Sequence, residues 1–406
     1  MSARLKVLVL TSTFPRWQGD TCPMFVADLC EGLAETMDVT VLAPGAEGAA
    51  GSQQWGAFTV KRFRYSWPAR TQQLAIGAIM PNIRRRPILL AQVPPFFLMQ
   101  LFAAWRLMRL EKFDAIHAHW AVPQGIVASI LKRIFKVPVI TTTHGGDIYA
   151  LRGGPAMTAK RWALRSSDRV TAVSSSLRDE VVALGPDASR VSVLPMGVDT
   201  ARFRPDTASP EIRRELNPAG GPVLLFVGRL VEKKGARYAI EAMPAILAEH
   251  PDARLVIVGD GPEREVLETL AADLHVTDSV SFLGAFANDR LPELYASADV
   301  FVGPSVVEAN GDTESFGVVF AEAMASGCVV VTTDVGGIAD LVRDGDTGLV
   351  VPPRDSGAIS AAVLNVLADS VLRDGLRFRG LQSMRDRFDH RRLHAAYADL
   401  IEEVAA

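Results

Sequence analysis

The chain has 406 residues, of which 49% are apolar and 22% charged, with a net charge of −3. That supplies enough apolar residue for two packed cores, and it excludes a disordered, collagen-like or disulfide-stapled chain. The three cysteines, Cys22, Cys30 and Cys328, have no metal-ligand or redox spacing, which excludes a zinc ribbon or CxxC centre and points to a reducing, cytoplasmic compartment.

At the start, the apolar run Val7–Leu10 is too short for a signal peptide and reads as a first β-strand. Further β-branched runs follow at 39–44, 114–119, 138–144, 169–174 and 190–195, each separated by a helix-like segment. Near-continuous apolar strands alternating with helices predict a parallel sheet covered on both faces. His117 and His119, in the strand DAIHAH, are expected to face opposite sides, with His117 the core residue.

Between the second and third of these runs the charge is lopsided. Residues 57–112 hold ten Lys or Arg against Glu111 alone, a local +9 that suggests an anionic surface or substrate. Inside it, residues 87–105 carry no charge and are flanked by Arg84–Arg86 and Arg106. The length is marginal for a membrane span, but Pro94-Pro95 would break a spanning helix near its middle. The stretch is read as a buried or interfacial helix beginning after Pro95, with surface attachment to an anionic membrane through 61–112.

A Pro-, Gly- and charge-rich segment at 201–221 reads as a linker. The expected organisation is a Rossmann-like domain over 1–200, the linker, a second such domain over 222–385, and a C-terminal helix over 386–406 that crosses back to the first domain. In the second half, strands are read at 222–228, 254–260, 279–284, 299–305, 328–334 and 347–351. Two doubly wound domains would then face one another, with ligand at the carboxyl ends of the strands.

No GxxxxGK[ST] is present, so a P-loop is excluded. VIVGDGPER (256–264) is only a partial GxGxxG and reads equally well as a tight strand-to-helix turn. In GRLVEKKG, Arg229 and Lys234 can converge at a strand end, where a diphosphate would sit. TESFGVVFAEAMASG (313–327) sets Glu314 just before a helix and Glu322 within it, with Gly317 at the start, where free backbone N–H groups favour an anion. The single Asp-x-Asp, Asp344-Gly345-Asp346, reads as turn chemistry.

Together with STFPRWQGDTCPMF, DAIHAHW, TTHGGD, VLPMGVDTARFRP, ADVFVGPS, TTDVGGIADLV and DGDTGLVVPP, these motifs resemble the family 4 retaining glycosyltransferases along nearly the whole chain. The resemblance implies the α/β GT-B fold, two facing Rossmann-like domains with a deep cleft between them. It also implies roles. Arg229 and Lys234 would hold the donor diphosphate, Glu314 the donor-sugar hydroxyls, and Glu322 the ribose. Phe316, Gly317 and Val318 would lie along sugar and phosphate, and Gly19 would approach the donor from the first domain. His119 would line the cleft near the anomeric carbon, and Asp147 would lie near the acceptor. Two departures are Met196, where Asn is usual, and a longer loop at Val306–Thr313.

The implied reaction moves a sugar from a nucleotide donor, UDP-sugar by frequency with GDP-mannose as the other choice, to a glycan or lipid-linked hydroxyl with retention. No cofactor, metal or nucleic acid is implied. A nucleotide-sugar epimerase of the same fold and a non-catalytic nucleotide-binding protein are the alternatives.

Overall fold

The computed structural model describes residues 4–20, 22–149, 153–286 and 288–406. The chain forms two compact units, Met1–Met196 with Arg391–Ala406, and Gly197–His390. Each is built on one sheet.

The first sheet has β1 (Lys6–Leu10), β2 (Asp38–Pro44), β3 (Ser52–Trp55), β4 (Phe58–Phe63), β5 (Ala115–His119), β6 (Val139–Thr143), β7 (Arg169–Ala172) and β8 (Val191–Val193). Their order is β3-β4-β2-β1-β5-β6-β7-β8, parallel except for the antiparallel edge pair β3–β4. The runs KVLVL, AIHAH and VITTT are buried almost throughout, as strands covered on both faces must be. The strand order reverses direction beside β1, so the loops after β1 and β5 diverge at the carboxyl edge, where a doubly wound sheet holds its ligand.

The second sheet has β9 (Val223–Val227), β10 (Arg254–Val258), β11 (Val280–Gly284), β12 (Val300–Gly303), β13 (Val329–Thr333) and β14 (Leu349–Val351), ordered β11-β10-β9-β12-β13-β14 and wholly parallel. Its core packs Leu224, Phe226, Ile257, Val302 and Val331 against Ile240, Met243 and Val363 from the covering helices. The reversal here lies beside β9, and the loops after β9 and β12 carry Arg229, Lys234 and Glu314.

The segment read as a linker is folded into the second unit. It contains a helix, Pro210–Leu216, whose N-cap Ser209 accepts from the Ile212 amide and whose Ile212 and Leu216 are buried. Arg213 pairs with Asp299 at 2.7 Å, and the Asn217 side-chain amide donates to the Asp252 carbonyl at 2.7 Å. The helix Val93–Leu110 begins two residues before Pro95 rather than after it, with the prolines in its first turn. A missing N–H is harmless there, so the pair starts the helix instead of breaking it.

At the far end of the chain, the terminal helix His390–Ala405 supplies Tyr397 to the first unit. Its hydroxyl donates to the Leu194 carbonyl at 2.7 Å, and its ring stacks on His117.

Candidate active site

In the second unit the donor-type residues gather where β9 and β12 end. Lys234 lies in the 3-10 turn Glu232–Lys234, and its ammonium pairs with the Glu314 carboxylate. Burial alone would raise the Glu314 pKa, but Lys234 and Lys233 together hold it below the ordinary carboxylate value. Glu314 is therefore an ionised, acceptor-only group. Hydroxyls are suitable donors to it.

Two glycines make this position possible. Gly317 has φ +81°, and a Cβ there would meet Phe320 at 2.4 Å and the Glu314 side chain at 3.3 Å. Gly336 has φ +59°, and its Cβ would lie 1.9 Å from the Glu314 carbonyl oxygen. That same carbonyl accepts from the Gly337 amide at 2.9 Å, so the backbone of Glu314 is braced from behind. Helix Val318–Ala325 starts directly after Gly317, its first amides facing away from the helix body as an anion site requires.

Phe316 is buried against Phe388, and Val318 is half-buried at the first helical position. Glu322 follows in the second turn, where its Oε2 accepts from the Tyr295 hydroxyl at 2.9 Å. Tyr295 is fully buried. Burial first, then the Glu322 charge, keep its phenol protonated and donating. Nothing in the sequence around Tyr295 marks this brace.

Arg229 is exposed just past β9. A second lysine was also missed. Lys233 donates to Asp312 at 3.0 Å and to the Thr313 carbonyl at 3.3 Å, while its own carbonyl accepts from the Val306 amide. The long loop Val306–Thr313 is thereby tied to the Lys234 turn on both sides. The GDGP segment forms the strand-to-helix turn between β10 and the helix Arg264–Asp273. Asp344 accepts from the Val350 amide, and Asp346 faces Arg343 and Arg379, so both acids are engaged in the turn.

In the first unit a cluster of rings forms past the ends of β5 and β6. His119 is fully buried, with Nδ1 at 3.0 Å from His144 Nε2 and its own Nε2 without a partner among the described residues. Burial first, then the neighbouring His117 and His144, hold His119 neutral, well below the usual histidine value.

His117 does not face the other side. The two rings lie 4.3 Å apart on the same face, because side chains two residues apart on a strand share a face. His117 is buried and bonds Thr142 Oγ1 at 2.7 Å.

Asp147 is buried, and its oxygens accept from the backbone amides of His144 at 3.1 Å and Ala121 at 2.6 Å. It fastens the loop after β6 to the loop after β5. Trp120, beside His119, holds φ +76°, a strained conformation for a residue with a side chain. Gly19 lies exposed in the loop after β1 with φ +80° and open space around it. That loop is braced by a bidentate Arg16–Asp20 pair, with Arg62 donating to the Pro15 carbonyl at 2.6 Å.

Residues 208–381 match the model for glycosyl transferases group 1, and residues 24–202 match that for glycosyltransferase family 4. Over 401 residues the chain is 32% identical to a GDP-mannose-dependent alpha-(1-6)-phosphatidylinositol monomannoside mannosyltransferase of Mycolicibacterium smegmatis, covering 97% of this chain and 98% of that one.

The chain belongs to glycosyltransferase family 4.

A second relative, the N-acetyl-alpha-D-glucosaminyl L-malate synthase of Bacillus anthracis, is 30% identical over 318 residues, 77% of this chain and 81% of that one. Among solved structures, the sucrose-phosphate synthase of Thermosynechococcus elongatus has the same two-domain GT-B fold. Its TM-score is 0.79 at 23% identity, covering 99% of each chain. The protein is accordingly a glycosyltransferase of the GT-B fold.

Proposed function

We propose that this glycosyltransferase moves a mannosyl group from GDP-mannose, with retention at the anomeric carbon, to a hydroxyl of a lipid-linked or polysaccharide-precursor acceptor at the cytoplasmic face of a membrane. The preference for GDP-mannose over a UDP-sugar rests on the mannosyltransferase similar to this chain over nearly its whole length. The single observation that carries the transferase chemistry is the buried Lys234–Glu314 pair immediately before a helix N-terminus.

That pair suits a nucleotide-sugar donor. The ionised Glu314 accepts from sugar hydroxyls. Lys234, Arg229 and the first amides of Val318–Ala325 stabilise the negative charge that grows on the departing diphosphate. As the family resemblance implies, the acceptor attacks from the leaving-group side, and a departing phosphate oxygen takes its proton. The role kept for His119 is to offer its neutral Nε2 to a sugar hydroxyl without adding charge, which requires the buried ring to become accessible. Glu322, oriented by Tyr295, takes the ribose hydroxyls. Asp147 acts on the acceptor side by holding the loop that carries His144.

The test is product formation from labelled GDP-mannose, UDP-glucose and UDP-N-acetylglucosamine with a lipid-linked acceptor, with and without EDTA, followed by the anomeric configuration of the product. Mannosyl transfer with retention, insensitive to EDTA, supports the reading in full. Transfer from a UDP-sugar would replace the donor, and donor turnover equally fast without any acceptor would favour an epimerase.

A further inference from the structure

We propose that residues 64–110 form a docking face for an anionic lipid bilayer, with the helix Val93–Leu110 lying flat among the headgroups. The proposal adds a surface to the transferase reading, and its physical basis does not depend on the reaction.

The surface is concentrated. Among the described residues, ten of the eighteen large apolar side chains that stand exposed fall within 64–110. Ile88 is 80% exposed, Trp67 77%, Leu110 70% and Leu98 59%. The same stretch holds seven arginines, Arg64, Arg70, Arg84, Arg85, Arg86, Arg106 and Arg109, all exposed, and no Asp or Glu. An apolar surface of this extent on a soluble domain marks an interaction site. Its charge says with what.

Pro87–Leu110 is long and apolar enough to cross a bilayer, yet its packing rules that out. Phe96, Gln100, Ala104, Leu107 and Met108 are buried, and the apolar ones join Leu8, Leu10 and Ile116 in the core of the first unit. Gln100 Nε2 also donates to the Thr11 carbonyl at 3.4 Å, just past β1. Crossing the membrane would strip this face from the sheet.

At about 100° per residue, Leu98, Phe102, Trp105 and Arg109 lie on the opposite side of the helix. One face is core. The other is exposed among the described residues.

The outer face has the chemistry of a membrane interface. Phe102 and Trp105 stack with centroids 6.0 Å apart, and the Arg109 guanidinium lies 5.8 Å from the Trp105 ring. Arg64 stands in the same way over Trp67, at 5.2 Å. Indoles settle at the headgroup level while arginines reach phosphate, and juxtaposed cations add attraction only where the lipid is anionic. A second copy of this face would meet seven like charges, which argues against self-association.

The test uses the full chain, ligand-free, with vesicles of equal phosphatidylglycerol and phosphatidylcholine, and with pure phosphatidylcholine. The expected result is flotation with the anionic vesicles alone, weakened by raising salt from 50 to 500 mM. Arg84→Gln/Arg85→Gln/Arg86→Gln should lower the partition coefficient by about a hundredfold. Phe102→Ser/Trp105→Ser should abolish stable binding. Brominated lipid should quench tryptophan emission, and Trp105→Phe should lose a measurable part of that quenching.

Equal binding to both vesicle types, no binding to either, or a Trp105→Phe variant quenched as fully as the parent would overturn the proposal. So would a concentration-dependent dimer that Phe102→Ser/Trp105→Ser dissolves, since the face would then belong to a second copy. Nucleotide titration of each variant confirms that it folds. Loss of vesicle binding with intact nucleotide binding isolates this surface from the donor site.

Discussion

Replacing Lys234 with methionine tests the central pair of the donor site. The substitution keeps the length and packing of the aliphatic stem but leaves the buried Glu314 carboxylate facing only Lys233, which already serves Asp312 and the Thr313 carbonyl. Side-chain exposures of 18% for Lys234 and 12% for Glu314 make the pair largely, though not fully, buried. Breaking such a pair costs about 3–5 kcal/mol, whereas replacing both partners by neutral groups is close to neutral. Lys234→Met should therefore destabilise the second unit by about 3 kcal/mol at pH 7.5. Lys234→Met/Glu314→Gln should recover most of that.

The pH dependence has a definite sign. In the parent, the folded Glu314 pKa is depressed, so its contribution is present above the unfolded value of 4.5 and is lost as pH falls through the folded value. In Lys234→Met, burial acts unopposed by Lys234 and raises the pKa, so the penalty grows above pH 4.5 and fades as pH falls toward it. The gap between parent and variant should thus shrink between pH 7.5 and 5. Calorimetric melts of the parent, both single variants and the double variant measure the coupling. Equal destabilisation in Lys234→Met and in the double variant, or a gap independent of pH, would refute the reasoning.

Further expectations concern the supports of the site. Gly317→Ala, which adds a Cβ at φ +81° against Phe320, should cost about 2–4 kcal/mol and weaken nucleotide binding; an unchanged melting temperature would contradict the backbone argument. Tyr295→Phe should weaken GDP binding five- to tenfold and blunt its preference over 2′-deoxy-GDP, because Glu322 loses its orienting donor; intact ribose discrimination would count against that. His117 and His144 are lowered by burial to about 3, and His119 is also held low, so all three fold neutral. Unfolded, each gains a proton below about pH 6.5, so stability should fall as pH drops, by roughly 1 kcal/mol per histidine between pH 6.5 and 5.5. Melts of the parent and His144→Phe would show this as a slope reduced by about a third, and identical slopes would contradict it.

The strands and the chemistry-bearing loops were legible because their signals are local. Apolar runs mark parallel strands, and Arg229, Lys234, Glu314 and Glu322 fall where those runs end. Contacts between distant segments were not. Nothing in GRLVEKKG shows that Lys233 will hold Asp312, and nothing near Tyr397 shows that it will stack on His117. The segment 201–221 has the composition of a linker, yet Arg213 and Asn217 find partners in other elements and fold it into the second unit. The His117–His119 geometry was available from the two-residue period of a strand, and the expectation of opposite faces was an error of period.

The most direct measurement is calorimetric titration of the protein with GDP and with UDP, alongside Glu322→Ala. Micromolar binding of GDP, weaker binding of UDP, and at least a tenfold loss in the variant, about 1.4 kcal/mol, are expected. Tight binding of UDP alone would move the donor to a UDP-sugar. Binding that Glu322→Ala leaves unchanged would contradict the donor site built here on Glu314, Lys234 and Glu322.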